Sequence, residues 1–148
     1  MQIEYAEQSD VRELYSLQQL AFKTEAAMIG SDSVPALLET AEENAADFNH
    51  WTTLKLMDGN NIIGSIRYRP SAGKVEVGRL MIHPDYRRQG LAQKMLKTVD
   101  QECPGKVKEL YTCTKSWTNI KLYRKMGYRP TKEVTEKSGL SFVYMDKK

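Results

Sequence analysis

Apolar positions recur with two different spacings along the chain, and the points where one spacing gives way to the other divide it into elements. Ile3 to Ala6 alternates and predicts a first strand. Asp10 followed by Glu13 has the spacing of a capping box, and Val11, Leu14, Gln18 and Phe22 then share one helical face. Lys23 to Asp32, with Gly30 and Ser31, reads as a loop, after which Ser33 and Pro35 open a second helix running to about Phe48. Period two returns in Thr52 to Met57 and Ile62 to Tyr68, and the turn residues Asp58-Gly59-Asn60-Asn61 between them predict a hairpin. Pro70 to Gly73 turns the chain into a central strand, Val75 to Ile82. Leu91, Met95, Leu96 and Val99 restore the helical period until Cys103-Pro104-Gly105 stops it. A strand from Glu109 to Thr114, a helix from Thr118 to Met126 ended by Gly127, and a strand pair, Tyr128 to Glu133 and Ser141 to Asp146, complete the chain.

The chemistry is concentrated where the central strand meets the helix behind it. The strand ends at His83-Pro84, because proline has no N–H to give a ladder, and the helix emerges after Arg87-Arg88-Gln89-Gly90-Leu91-Ala92. Such a corner offers the unpaired first N–H groups of a helix and the positive end of its dipole to an anion. Gly90 lets the backbone turn and approach a ligand without a Cβ, Ala92 adds little bulk, and Arg87 and Arg88 add positive charge. A phosphate-binding P-loop is excluded because no Lys-Ser/Thr pair follows Gly90, and a dinucleotide fingerprint is excluded because only one of its three glycines is present.

The segment Arg87-x-x-Gly90-x-Ala92 resembles the acetyl-coenzyme A signature of the GNAT superfamily of N-acetyltransferases. Gly78-Arg79-Leu80-Met81-Ile82-His83-Pro84 before it and Asn119-x-x-Leu122-Tyr123-x-x-x-Gly127-Tyr128 after it are similar to further elements of that family, in the family's order. The resemblance implies one GNAT domain over residues 1–148, an α/β fold whose mostly antiparallel sheet of about seven strands is flanked by about four helices. It implies acetyl-CoA as cosubstrate and transfer to a primary amine by direct attack in a ternary complex. Leu80, Met81 and Ile82 would then offer backbone groups to the pantetheine arm, and the backbone of Arg88, Gln89, Gly90, Leu91 and Ala92 would hold the diphosphate with Arg87 at the mouth.

The same resemblance assigns roles in the chemistry. The amine must be neutral to attack and the departing sulfur takes up a proton, so a base and an acid are needed. Glu76 on the central strand matches a position where several family members keep a glutamate base; Glu25 and His83 are further candidates. Asn119 and Tyr123 share a face of the short helix. The tyrosine would be the acid, and the asparagine would contact the pantetheine or the base. Glu25 and Asp32 would suit a cationic amine. A non-catalytic acyl-CoA-binding domain is the alternative.

Composition narrows the classes further. Of 148 residues, 22 are basic and 19 acidic, and the net charge of +3 is spread along the chain, which speaks against a nucleic-acid module with a concentrated basic face. The start of the chain shows no basic segment leading into an apolar run, so a cytoplasmic protein without a membrane partner is expected, with a homodimer compatible. Cys103 and Cys113 have no metal or redox spacing, so no metal is expected.

Overall fold

The structure, a computed structural model, describes residues 1–148. Seven strands form one sheet: β1 (Gln2–Tyr5), β2 (Thr52–Asp58), β3 (Asn61–Ser71), β4 (Lys74–Ile82), β5 (Lys108–Cys113), β6 (Arg129–Thr135) and β7 (Ser141–Lys147). Their order across the sheet is β1-β2-β3-β4-β5-β7-β6. Every neighbouring pair is antiparallel except β4 and β5, which are parallel. Five helices complete the fold: α1 (Val11–Ile29), α2 (Pro35–Leu38), α3 (Ala41–Asp47), α4 (Leu91–Glu102) and α5 (Trp117–Lys125). The mixed α/β architecture is as expected from the sequence.

The parallel pair positions the site. β4 and β5 are registered only at Val75 with Lys108 and Glu76 with Glu109, after which the strands part. From Val77 to Ile82 the β5-facing edge of β4 therefore has no strand beside it, although its other edge stays paired with β3 as far as Gly64 opposite Ile82. A bulge between Ser65 and Arg67 shifts the β3–β4 register, and Arg79, opposite it, takes a left-handed φ of 48°. A bulge of this kind bends a strand away from its neighbour.

The two faces of the opened sheet are covered differently. On one, Leu91, Met95, Leu96 and Val99 of α4 and Tyr123 of α5 pack on Leu54, Leu56, Ile63, Ile66, Val77 and Leu110, the largest core. On the other, α1 spans the opening. Its first half buries Leu14, Leu17 and Ala21 against Ile62 and Met81, and its second half buries Ala26 and Ile29 with Cys113, Leu140 and Phe142.

Three local readings need correction. The segment Lys23 to Ile29 is helical rather than a loop, because Ala26 and Ile29 continue the apolar stripe begun at Leu14. Only Gly30, at φ 72°, ends α1, with the N–H groups of Gly30 and Ser31 both donating to the Ala26 carbonyl. Glu25 is thereby fixed on a helix. The second helix is broken in two at Glu39, whose backbone is extended, and α3 restarts behind a Thr40–Glu43 capping box at 2.9 and 3.1 Å. The expected Asp10–Glu13 box also gives way: Asp10 accepts from the Glu7 N–H at 2.8 Å and Glu13 from the Ile62 N–H at 2.8 Å, pinning the start of α1 to β3.

Candidate active site

At the corner after β4, a 3-10 turn (Pro84–Tyr86) leads through extended Arg87 to two left-handed residues, Arg88 at φ 63° and Gly90 at φ 73°. A left-handed arginine is strained backbone held in place by its surroundings. No side chain caps α4, so the N–H groups of its first turn have neither a helical nor a side-chain acceptor. Arg87 donates through Nη2 to the Ala21 carbonyl at 3.3 Å, so its guanidinium ties the corner to α1. His83 is occupied differently: its Nδ1 accepts from the Asp85 N–H at 3.1 Å, and it lines neither of the two cavities described next.

From this corner a groove of about 550 Å³ runs along the open edge of β4. Leu80, Met81 and Ile82 form one wall, Thr118, Asn119 and Leu122 of α5 the other, and Arg88, Gly90, Leu91 and Ala92 close the end. Gln89 is exposed and does not line it. A second cavity of about 260 Å³ lies beyond, among Trp51, Arg67, Arg69, Glu76, Arg79, Tyr111 and Tyr123. Phe22, Glu25, Leu80 and Asn119 line both cavities, so the two meet at these side chains.

Glu25 is the centre of that junction. Its Oε1 accepts from the Ser116 hydroxyl at 2.6 Å and from Asn119 Nδ2 at 3.1 Å, while its Oε2 makes no hydrogen bond within the protein. Asn119 also reaches the Thr112 hydroxyl at 3.4 Å, which fixes its amide between β5 and α1. One carboxylate oxygen is thus anchored and the other is free to accept a proton. Glu76 is placed otherwise. It stands at the closed base of the opening, its Oε1 accepts from Arg69 Nε at 3.0 Å, and it lines only the smaller cavity.

Tyr123 is 7% exposed and packs edge-on against Tyr128 with ring centroids 6.0 Å apart. Its hydroxyl makes no hydrogen bond within the protein. Burial first, and the nearby Glu25 charge second, push its pKa well above that of a free phenol, so Tyr123 keeps its proton throughout the neutral range. The sequence pairs Asn119 with Tyr123 on one helix face and offers Glu25 apart from them, and the fold brings all three to one cavity. It missed Ser116, for which no sequence signal exists. It also missed Arg67 and Arg79, whose signal was an arginine on an otherwise buried strand and another beside Gly78.

A family model described as an acetyltransferase (GNAT) domain matches residues 23–148. The UPF0157 protein YqkA of Bacillus subtilis (strain 168) is 25% identical over 139 residues, 93% of this chain and 40% of that protein. The chain thus spans about two fifths of that curated relative's length. Among solved structures, the ribosomal-protein-S18-alanine N-acetyltransferase from Escherichia coli superposes with a TM-score of 0.79 at 17% identity, covering 99% of this chain and 92% of that one. The PaiA N-acetyltransferase from Thermoplasma acidophilum in complex with coenzyme A gives 0.76 at 19% identity over 100% and 99%. These likenesses show the fold.

Proposed function

Because the chain belongs to the GNAT acetyltransferases, we propose that it passes the acetyl group of acetyl-CoA directly to a primary amine held in the smaller cavity, with Glu25 as base and Tyr123 as acid. The chemistry of the groove supports it as the coenzyme site. The uncapped first turn of α4 and the left-handed backbone before it would take the diphosphate, and the unpaired edge of β4 at Leu80 to Ile82 would bond the pantetheine as a strand would. When bound, acetyl-CoA supplies the acetyl group as a thioester.

The observation that carries the reading is the meeting of the two cavities at Glu25 and Asn119. Glu25 Oε2 takes a proton from the incoming ammonium, freeing the nitrogen lone pair for attack on the acetyl carbon, while Ser116 and Asn119 hold the carboxylate in place. As the carbon–nitrogen bond forms and the carbon–sulfur bond breaks, the sulfur takes up the electron pair and Tyr123 gives it a proton; the nitrogen then gives up its second proton, which restores the Tyr123 phenol, and Glu25 releases the first to solvent. Glu25 serves as base better than Glu76, whose carboxylate is held by Arg69 away from the groove.

Thiol release from acetyl-CoA in the presence of a panel of primary amines tests this, with Glu25→Gln and Glu76→Gln compared on the best acceptor. Glu25→Gln should lower kcat by about 10² or more, most at low pH where the amine most needs a base, and Glu76→Gln by far less. The reverse ranking would hand the role to Glu76. Binding of acetyl-CoA with no transfer to any amine would favour the non-catalytic reading.

A further inference from the structure

Arg67 and Arg79 enter the smaller cavity with more hydrogen-bond donors than the protein satisfies. Each guanidinium carries five N–H donors, and the side chains are only 14% and 18% exposed. Arg67 gives one hydrogen bond, from Nη1 to Asp47 Oδ2 at 3.2 Å, and its Nε is buried without a partner. Arg79 makes no hydrogen bond; its nearest carboxylate oxygen, Glu39 Oε2, is 3.8 Å away. Both neighbouring acids are partly engaged by neutral donors. Trp51 Nε1 donates to Asp47 at 3.1 Å, and Gln18 and Asn44 each donate to Glu39 Oε1 at 2.9 Å. The third arginine, Arg69, is matched by Glu76.

The arrangement is built rather than incidental. Arg79 sits in the bulge with a left-handed φ of 48°, a conformation that residues bearing a side chain rarely adopt. Arg67 lies with its guanidinium carbon 4.0 Å from the centre of the Trp51 ring, which fixes its plane. Gly78 is paired with Arg67 across the strands and immediately precedes Arg79 in the chain. Burial first, then the charge of Arg79, lowers the pKa of Arg67 to about 10, so two cations lie close together with guanidinium donors left unfilled.

Resting on the acetyltransferase reading, we propose that the acceptor is a small amino-carboxylate: its amine lies against Glu25, and its carboxylate is received by Arg79 and Arg67. A carboxylate has the two coplanar acceptors that a guanidinium fork matches. A singly charged group fits better than a phosphate because Asp47, Glu39 and Glu76 already offset most of the arginine charge. The cavity of about 260 Å³ limits the acceptor to about the size of an amino acid or a short peptide end.

The test uses glycine through 6-aminohexanoate, aspartate and glutamate as acceptors, each paired with its carboxamide, and O-phosphoethanolamine as the phosphate arm. At least one carboxylate should exceed its carboxamide in kcat/KM by about tenfold or more, and Arg79→Met should shrink that ratio to near unity, with Arg79→Lys between. Acetyl-CoA affinity serves as the folding control. Independently of transfer, calorimetry with glutarate on the coenzyme A-loaded protein should show binding that Arg79→Met weakens by about tenfold or more. Equal rates for carboxylates and carboxamides, a better rate for O-phosphoethanolamine than for every carboxylate, or glutarate binding that is absent or unchanged in Arg79→Met overturns the proposal. Glutarate binding lost in Arg79→Met, without transfer to any amine, would sustain the carboxylate site and overturn the acetyltransferase reading instead.

Discussion

Replacing Gly90 by valine separates two effects that a glycine at a ligand corner usually confounds. Gly90 has φ 73°, and a Cβ added there would meet no protein atom within 4 Å. The stability cost is therefore that of a left-handed backbone alone, about 1–2 kcal/mol. Gly30, at the end of α1, has φ 72° and is equally open, so Gly30→Val carries the same strain far from the corner. Both variants should lose Tm alike, by about 3 °C per kcal/mol for a chain of this size. Coenzyme binding should differ. The open space above Gly90 belongs to the groove, and a branched side chain there would lift a diphosphate off the N–H groups at the start of α4. Hydrogen bonds to a charged group contribute about 1.5–3 kcal/mol each, so loss of even one weakens affinity by about tenfold or more. Calorimetric titration with acetyl-CoA measures it. Equal affinities for the Gly90→Val and Gly30→Val proteins, at equal Tm, would refute the placement of the diphosphate.

Tyr123→Phe keeps the ring against Tyr128 and removes only the hydroxyl, so Tm and acetyl-CoA affinity should hold while kcat falls by about 10², the low end for general-acid help because a thiolate leaves tolerably well unaided; a change within about twofold, with chemistry rate-limiting, would leave it a core aromatic. Because burial raises its pKa and so favours the protonated phenol, the kcat of the parent should not fall between about pH 8 and 10, and a fall there absent from Tyr123→Phe would contradict the assignment. Asp10 is titrated downward: desolvation opposes this, but the Glu7 N–H and Lys55, at 2.8 and 2.9 Å, outweigh it. A depressed carboxyl pKa contributes stability above its unfolded value of about 3.9 and loses it as pH falls through the folded value. Asp10→Asn should therefore cost about 1 kcal/mol by denaturant unfolding at pH 7, and the gap should close toward pH 3.

The strands and the turn from β4 into α4 were legible because each rests on local signals: alternation, a proline at a strand end, and a glycine before an apolar period. α1 runs past Lys23 to Ile29 because its apolar stripe continues through Ala26 and Ile29, a better guide to its length than the turn residues Gly30 and Ser31 beyond it. The break at Glu39 was also readable, since Thr40 and Glu43 have capping-box spacing. What sequence alone could not give is convergence. Glu25, Ser116 and Asn119 meet only because α1 crosses the opening between β4 and β5, and that depends on pairings between residues far apart in the chain. Arg67 and Arg79 come together through a bulge, which depends on strand register rather than on residue type.

Direct transfer across the junction at Glu25 is tested most directly by following both products at once, with the protein itself as the third species. Acetyl-CoA is mixed with the protein alone and then with the best amine acceptor, and thiol, acetylated amine and protein mass are measured over time. The account predicts no acetylated protein and no thiol beyond background until the amine is added, then one acetylated amine for each thiol and initial-rate lines that intersect when both substrates are varied. Thiol release that proceeds without an amine, or an acetylated protein with parallel initial-rate lines, would contradict it.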